Sequence, residues 1–213
     1  MIKSIQYSDK TLHANVHFAL GVIIASVSNF FIPLNLIEYC SILVCSFGVD
    51  FDFLLSRFEK RHKGNHRNFF THTIYPGLII FGIGIIIYSV FSYHIIWICG
   101  ISYISHIILD CVDWGVRIFF TEKYYGLYIL ISQHEKNLNR NYGTLLKKLK
   151  EEDEFFFIKR YYQNNFIVIL DAALSLLGFG ILFLLTPDYW FVYIGFFLLL
   201  EYHLKMKKKA EQS

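Results

Sequence analysis

Residues 94–113 read HIIWICGISYISHIILDCVD. The run holds no Lys, Arg or Glu, and apart from His94 its imidazole and carboxylate groups, His106, Asp110 and Asp113, gather at the far end. Twenty residues wound as α-helix reach about 30 Å, the thickness of a bilayer's hydrocarbon core. At about 100° per residue, His106, Asp110 and Asp113 fall within an arc of about 60°, stacked on one helix face. The stretch predicts a membrane-crossing helix that delivers three metal-capable side chains to one of its ends.

The rest of the chain has the same character. Of 213 residues, 55% are hydrophobic, 19% aromatic and only 17% charged, with a mean hydropathy of +0.43. A soluble domain carries about 25% charge. This composition excludes disordered, collagen-like, coiled-coil and nucleic-acid-binding classes, and a net charge of +3 leaves no global basic field. Apolar runs of 16 to 23 residues lie at 17–33, 36–55, 69–91, 94–113, 166–186 and 189–204. They predict an all-α polytopic membrane protein with about six transmembrane helices in a single membrane-embedded domain, 1–213. The last run is short enough for a tilted or partly interfacial helix. The first lacks a small-residue cleavage site and is expected to stay as the first helix. Cys40, Cys45, Cys99 and Cys111 form no CxxC and read as small hydrophobes inside helices.

The connections set orientation. Pro33 to Asn35, Ser92 to Tyr93, and Pro187 to Asp188 carry no Lys or Arg, whereas all 20 basic residues fall on the other side. Cytoplasmic loops attract Lys and Arg, so both termini are expected in the cytoplasm of a multi-pass inner-membrane protein. Within the longest connection, 114–165, residues 144–161 mix charge with Leu, Phe and Tyr at roughly helical spacing. They predict an amphipathic segment on the cytoplasmic leaflet, with docking of an acidic partner as the alternative.

On this topology, His17 opens helix 1, Asp50 and Asp52 end helix 2, His66 and His72 lead into helix 3, and His106, Asp110 and Asp113 close helix 4. All point to the cytoplasmic end. Asp50 and Asp52 stand about 200° apart on an ideal helix and converge only if it unwinds, which Gly48 favours. Buried carboxylates are costly unless paired or metal-bound. A mixed His/Asp set suits Zn²⁺, Mn²⁺ or Fe²⁺. The expected ligands of one or two divalent ions, Zn or Mn above all, are His17, Asp50, Asp52, His66, His72, His106 and Asp110. Asp52 or Asp113 would serve as general base, Arg67 could grip a substrate phosphate, and Asp171, about 7–8 Å deep in helix 5, would stand behind the ligands. His13, His62, His94, His134 and His203 read as solvated or interfacial.

His17 in Ala-Asn-Val-His-Phe-Ala-Leu-Gly, then Gly48-Val-Asp-Phe-Asp, His66-Arg67 with Thr71-His72-Thr73, and His106 through Asp110 to Gly115 occur in that order. This resembles the YdjM-type predicted membrane-bound metal-dependent hydrolases, whose signature reads roughly H, PD-x-D, HRG-x-THS and H-x3-D-x3-T-x-x-G. The resemblance covers about residues 13–130. It implies a multi-pass inner-membrane hydrolase with a His/Asp metal centre. Here Val49 replaces the Pro, Asn68 the Gly, Thr73 the Ser and Trp114 the Thr, so every matched ligand position is kept.

Rival readings are a metal-ion permease, whose site should lie near the midplane, and a non-catalytic regulator with a structural metal. No H-E-x-x-H protease motif is present. The lipid-phosphatase pattern also ends in H-x3-D, but its upstream segments are missing. A centre at the cytoplasmic interface beneath a basic loop predicts hydrolysis of a phosphoester or lipid-like substrate from the inner leaflet, with the lipid bilayer as partner and no nucleic acid.

Overall fold

Each of the six apolar runs carries a helix in the computed structural model, which describes residues 14–51, 69–119, 123–131, 153 and 155–213. The described residues form α1 (Ala14–Phe31), α2 (Leu36–Phe47), α3 (Ile74–Phe91), α4 (Ile95–Asp110), α5 (Phe156–Gln163), α6 (Asn165–Leu185) and α7 (Tyr193–Glu211), and no strand. Two 3₁₀ turns, Phe70–His72 and Pro187–Val192, lead into α3 and α7. By length and composition α3 and α6 could cross a membrane, and α1 and α4 are shorter apolar helices.

Short links make α1–α2 and α3–α4 helical hairpins. Asn35 starts α2 with a capping box: its side chain accepts from the Glu38 amide and Glu38 accepts from its own, satisfying donors that a helix start leaves bare. Ser92, at φ 56, closes α3 in the left-handed conformation. α1 lies against α2, α4, α6 and α7, and α2 against α4. Phe18, Val22, Ala25, Tyr39, Ile42, Ile98, Leu182 and Tyr193 fill the space between them.

α3 meets α4 backbone to backbone. A Cβ on Gly84 would lie 2.2 Å from the Trp97 nitrogen, and one on Gly100 2.5 Å from the Phe81 nitrogen. Small residues at such crossings are a mark of helix packing in lipid, where close approach replaces the hydrophobic drive. Outward faces are apolar as well. Ile79, Ile86 and Val90 on α3, Ile169, Leu176 and Leu184 on α6, and Phe197 and Leu198 on α7 are exposed. The core meanwhile encloses His17, His72, His106 and Asp110. These helices thus carry apolar residues outward while the His/Asp group is enclosed within the fold.

After α4 the chain turns back at Gly115, whose φ of +77 suits glycine, and Val116 bridges to Tyr125. The amphipathic segment departs from expectation. Residues 144–152 and 154 lie outside the described residues, and the helix that follows turns its apolar face onto the protein. Phe156, Ile158 and Tyr161 are buried with Trp114, Leu130, Ile131, Ile167 and Ala210. Aromatic partners at the end of α4 and along α7 give that face a dry seat within the fold.

Candidate metal centre

His17 lies in the first turn of α1, and α4 presents His106 and Asp110 four residues apart on one face. α2 stops at Phe47, and residues 48–51 wind as 3₁₀, bringing Asp50 inward. That unwinding is the event expected at Gly48. His72 ends the 3₁₀ turn Phe70–His72, which is pinned at several points. Thr73 donates its amide and its hydroxyl to Phe70 O (3.0 and 2.7 Å), Ile74 N–H donates to Ile118 O (3.1 Å), and the Tyr103 hydroxyl donates to Thr71 O.

These side chains converge. Asp110 Oδ1 lies 3.3 Å from His17 Nε2, and Asp110 Oδ2 lies 3.4 Å from His106 Nε2 and 3.6 Å from His72 Nε2. Asp50 Oδ1 lies 3.6 Å from His72 Nε2 and 3.7 Å from His106 Nε2. The rings of His17 and His106 stack, and His72 meets His106 edge-on with centroids 5.5 Å apart. His17, His72 and His106 are fully buried, and Asp110 and Asp50 nearly so.

One donor atom each from His17, Asp50, His106 and Asp110 fits within 4.8 Å of all the others. Donors about 2.0–2.1 Å from one tetrahedral ion stand about 3.3–3.4 Å apart. Asp110 meets that spacing towards His17 and His106, and the remaining His–Asp separations are a few tenths of an ångström longer. His106 Nδ1 lies 2.6 Å from Ser46 O, so it donates, and Nε2 keeps its lone pair. That buried Nε2 has no hydrogen-bond partner among the described residues. The arrangement could hold a divalent metal ion, with His72 at its margin. A carboxylate such as Asp110, engaged through both oxygens, is suited to join two ions.

The remaining predicted residues divide. Asp52, His66 and Arg67 lie outside the described residues. Asp113 is buried and falls just past the end of α4. With Asp171 it lines a small recess bordered by His17 and Asp110 and narrowed by Leu109, Val112, Ile167 and Leu170. The Tyr161 hydroxyl donates to Asp171 Oδ2 at 2.5 Å. Burial, reinforced by the Asp171 carboxylate, pushes the Tyr161 phenol well above its ordinary range and keeps it the donor.

His203 corrects the sequence reading, which left it solvated or interfacial. It is buried, its ring 5.3 Å from Tyr161 and 5.4 Å from Tyr162, because α7 runs on to Glu211 and packs against α5. His94 sits at the opposite end, beside Tyr88, and His13, His62 and His134 lie outside the described residues. The four cysteines are free thiols. Ser46 was missed; its only sequence signal is a small hydroxyl residue one turn before Asp50. In comparisons with known proteins, the chain matches no family model, no curated protein and no solved structure.

Proposed function

We propose that this chain is an integral membrane hydrolase. In this reading it crosses the inner membrane six times with both termini cytoplasmic, and its His/Asp centre works at the cytoplasmic face on a phosphoester or lipid-like substrate. The observation that carries the reading is the convergence of His17, Asp50, His106 and Asp110 within 4.8 Å at one end of an apolar bundle. The ordered motifs resembling YdjM-type hydrolases support the reaction class, and the apolar outer faces of α3, α6 and α7 support the membrane.

His17, Asp50, His106 and Asp110 would hold the metal, joined by His72 and, from the basic loop, Asp52 and His66. A bound divalent ion supplies Lewis acidity and lowers the pKa of water towards 7. Asp113 and Asp171 line the recess beside His17 and Asp110, where either could take the proton that a hydrolytic water gives up. Tyr161 holds Asp171 in place. Arg67 would bind the substrate's phosphate as a planar, permanently charged donor. Leu109, Val112, Ile167 and Leu170 narrow the recess and limit bulk water.

The test is turnover of phosphodiester and phospholipid probes by detergent-solubilised protein. Activity should require a divalent metal, and Asp110→Asn should lower it by about 10²-fold or more. Equal turnover by wild type and Asp110→Asn would overturn the hydrolase reading.

A further inference from the structure

α2 and α4 share two hydrogen bonds spaced one helical turn apart on each helix. The Ser102 hydroxyl donates to Ile42 O at 2.8 Å, and His106 Nδ1 donates to Ser46 O at 2.6 Å. Positions 42 and 46 face 102 and 106, so the pair sets the register of the two helices. An uninterrupted α-helix would give the Ser46 carbonyl to the amide of Asp50. Residues 48–51 are 3₁₀, whose bonds run to i−3. The turn that brings Asp50 inward thus begins two residues after the one whose carbonyl accepts from His106.

Ser46 reaches a third helix. Its hydroxyl donates to the His17 carbonyl at 2.7 Å. α1 can come this close because position 21 is Gly, where a Cβ would lie 2.8 Å from the Ser46 Cβ. Ser46 and Ser102 are both fully buried. One serine thus ties the backbone of the His17 turn to the ring of His106, and the other fixes the helix that carries His106 and Asp110.

The geometry points to Ser46 and Ser102 as positioning residues of the His/Asp centre: the Ser46 hydroxyl places the His17 turn, the Ser102 hydroxyl holds α4 in register with α2, and the Ser46 backbone carbonyl, whatever the side chain, accepts from His106 Nδ1. This rests on the metal-centre reading above. Neither serine is a ligand in it: the Ser46 hydroxyl acts on the His17 backbone and the Ser102 hydroxyl on the α2 backbone. Groups bonded directly to metal ligands typically change metal affinity by about 10- to 100-fold, and these two, which hold only backbone, fall at the low end.

Ser26 provides the control. It is equally buried, and its hydroxyl bonds Tyr39 and Thr186 at 2.7 and 2.8 Å, but it lies more than two helical turns along α1 from His17. Full-length protein in detergent would be titrated with Co²⁺ against a competing chelator, following the visible absorption of the bound ion. Ser46→Ala and Ser102→Ala should each weaken Co²⁺ binding by about tenfold and alter its absorption. Ser26→Ala should lower the thermal stability of the metal-free protein while leaving affinity within about twofold. If Ser46→Ala does not fold, Ser46→Cys and Ser102→Ala carry the test. Affinities in the Ser46 and Ser102 variants no weaker than in Ser26→Ala would overturn the proposal. A second readout needs no metal: ¹⁵N-histidine spectra should show His106 protonated on Nδ1, and protonation on Nε2 instead would also overturn it. Wild-type protein that binds no Co²⁺ would remove the metal-centre reading and this inference together, whereas wild-type binding with unaffected variants would remove this inference alone.

Discussion

His17 and His106 lie face to face, their ring centroids 3.8 Å apart and their planes 27° from parallel. The stack joins the first turn of α1 to the last turns of α4 and sets both Nε2 atoms against the one Asp110 carboxylate, at 3.3 and 3.4 Å. Two cationic imidazoles would repel at this distance. Two imidazoles beside a shared carboxylate are a natural metal-binding pair.

Protein purified without chelator should contain divalent metal. Elemental analysis should find about one or two equivalents, falling below about 0.3 in the double variant His72→Ala, His106→Ala. The same low content in wild type would sink the metal centre.

Topology has its own check. Reporter fusions at Asn35, Tyr93 and Pro187 should read as external, since these links carry none of the 20 basic residues. A cytoplasmic signal at any one of the three would break the six-span arrangement.

The α3–α4 crossing predicts a contrast between two glycines. A Cβ on Gly84 would sit 2.2 Å from the Trp97 nitrogen, whereas one on Gly82 would meet nothing within 4 Å. Gly84→Ala should destabilise the detergent-solubilised protein by about 1–3 kcal/mol through forced separation of the helices. Gly82→Ala should be neutral or stabilise by up to about 1 kcal/mol through helix propensity. Thermal unfolding followed by circular dichroism reads both, and equal melting temperatures would count against the crossing.

Alkaline stability should depend on Tyr161. Its phenol is held above the ordinary value of 10.0 by burial and by Asp171, so the folded state keeps a proton that the unfolded chain releases. The stabilisation is complete below about pH 10 and is lost progressively above it. Tyr161→Phe should therefore flatten the fall in stability above pH 10, and Tyr162, pushed up to about 12 by its own burial, should leave part of the slope. An unchanged slope in Tyr161→Phe would show that its hydroxyl is not held as described.

The sequence by itself determined the helices and much of the site. Apolar length is a property of each segment, so runs such as 94–113 announced α4 without knowledge of any neighbour. The four-residue spacing of His106 and Asp110 placed both on one face for the same local reason. The position of His17, Asp50 and His72 at run ends supplied the rest of the gathering. Tertiary structure alone decided which of these groups meet and how. Asp50 turns inward because α2 changes to 3₁₀ after Phe47, and Asp113 shares a recess with Asp171 because α6 passes the end of α4. His203 is buried because α5 packs on α7, and Ser46 matters because Gly21 lets α1 approach α2. Each of these outcomes depends on the register and separation of two helices, quantities set by side chains on both partners at once and therefore carried by no single stretch of sequence.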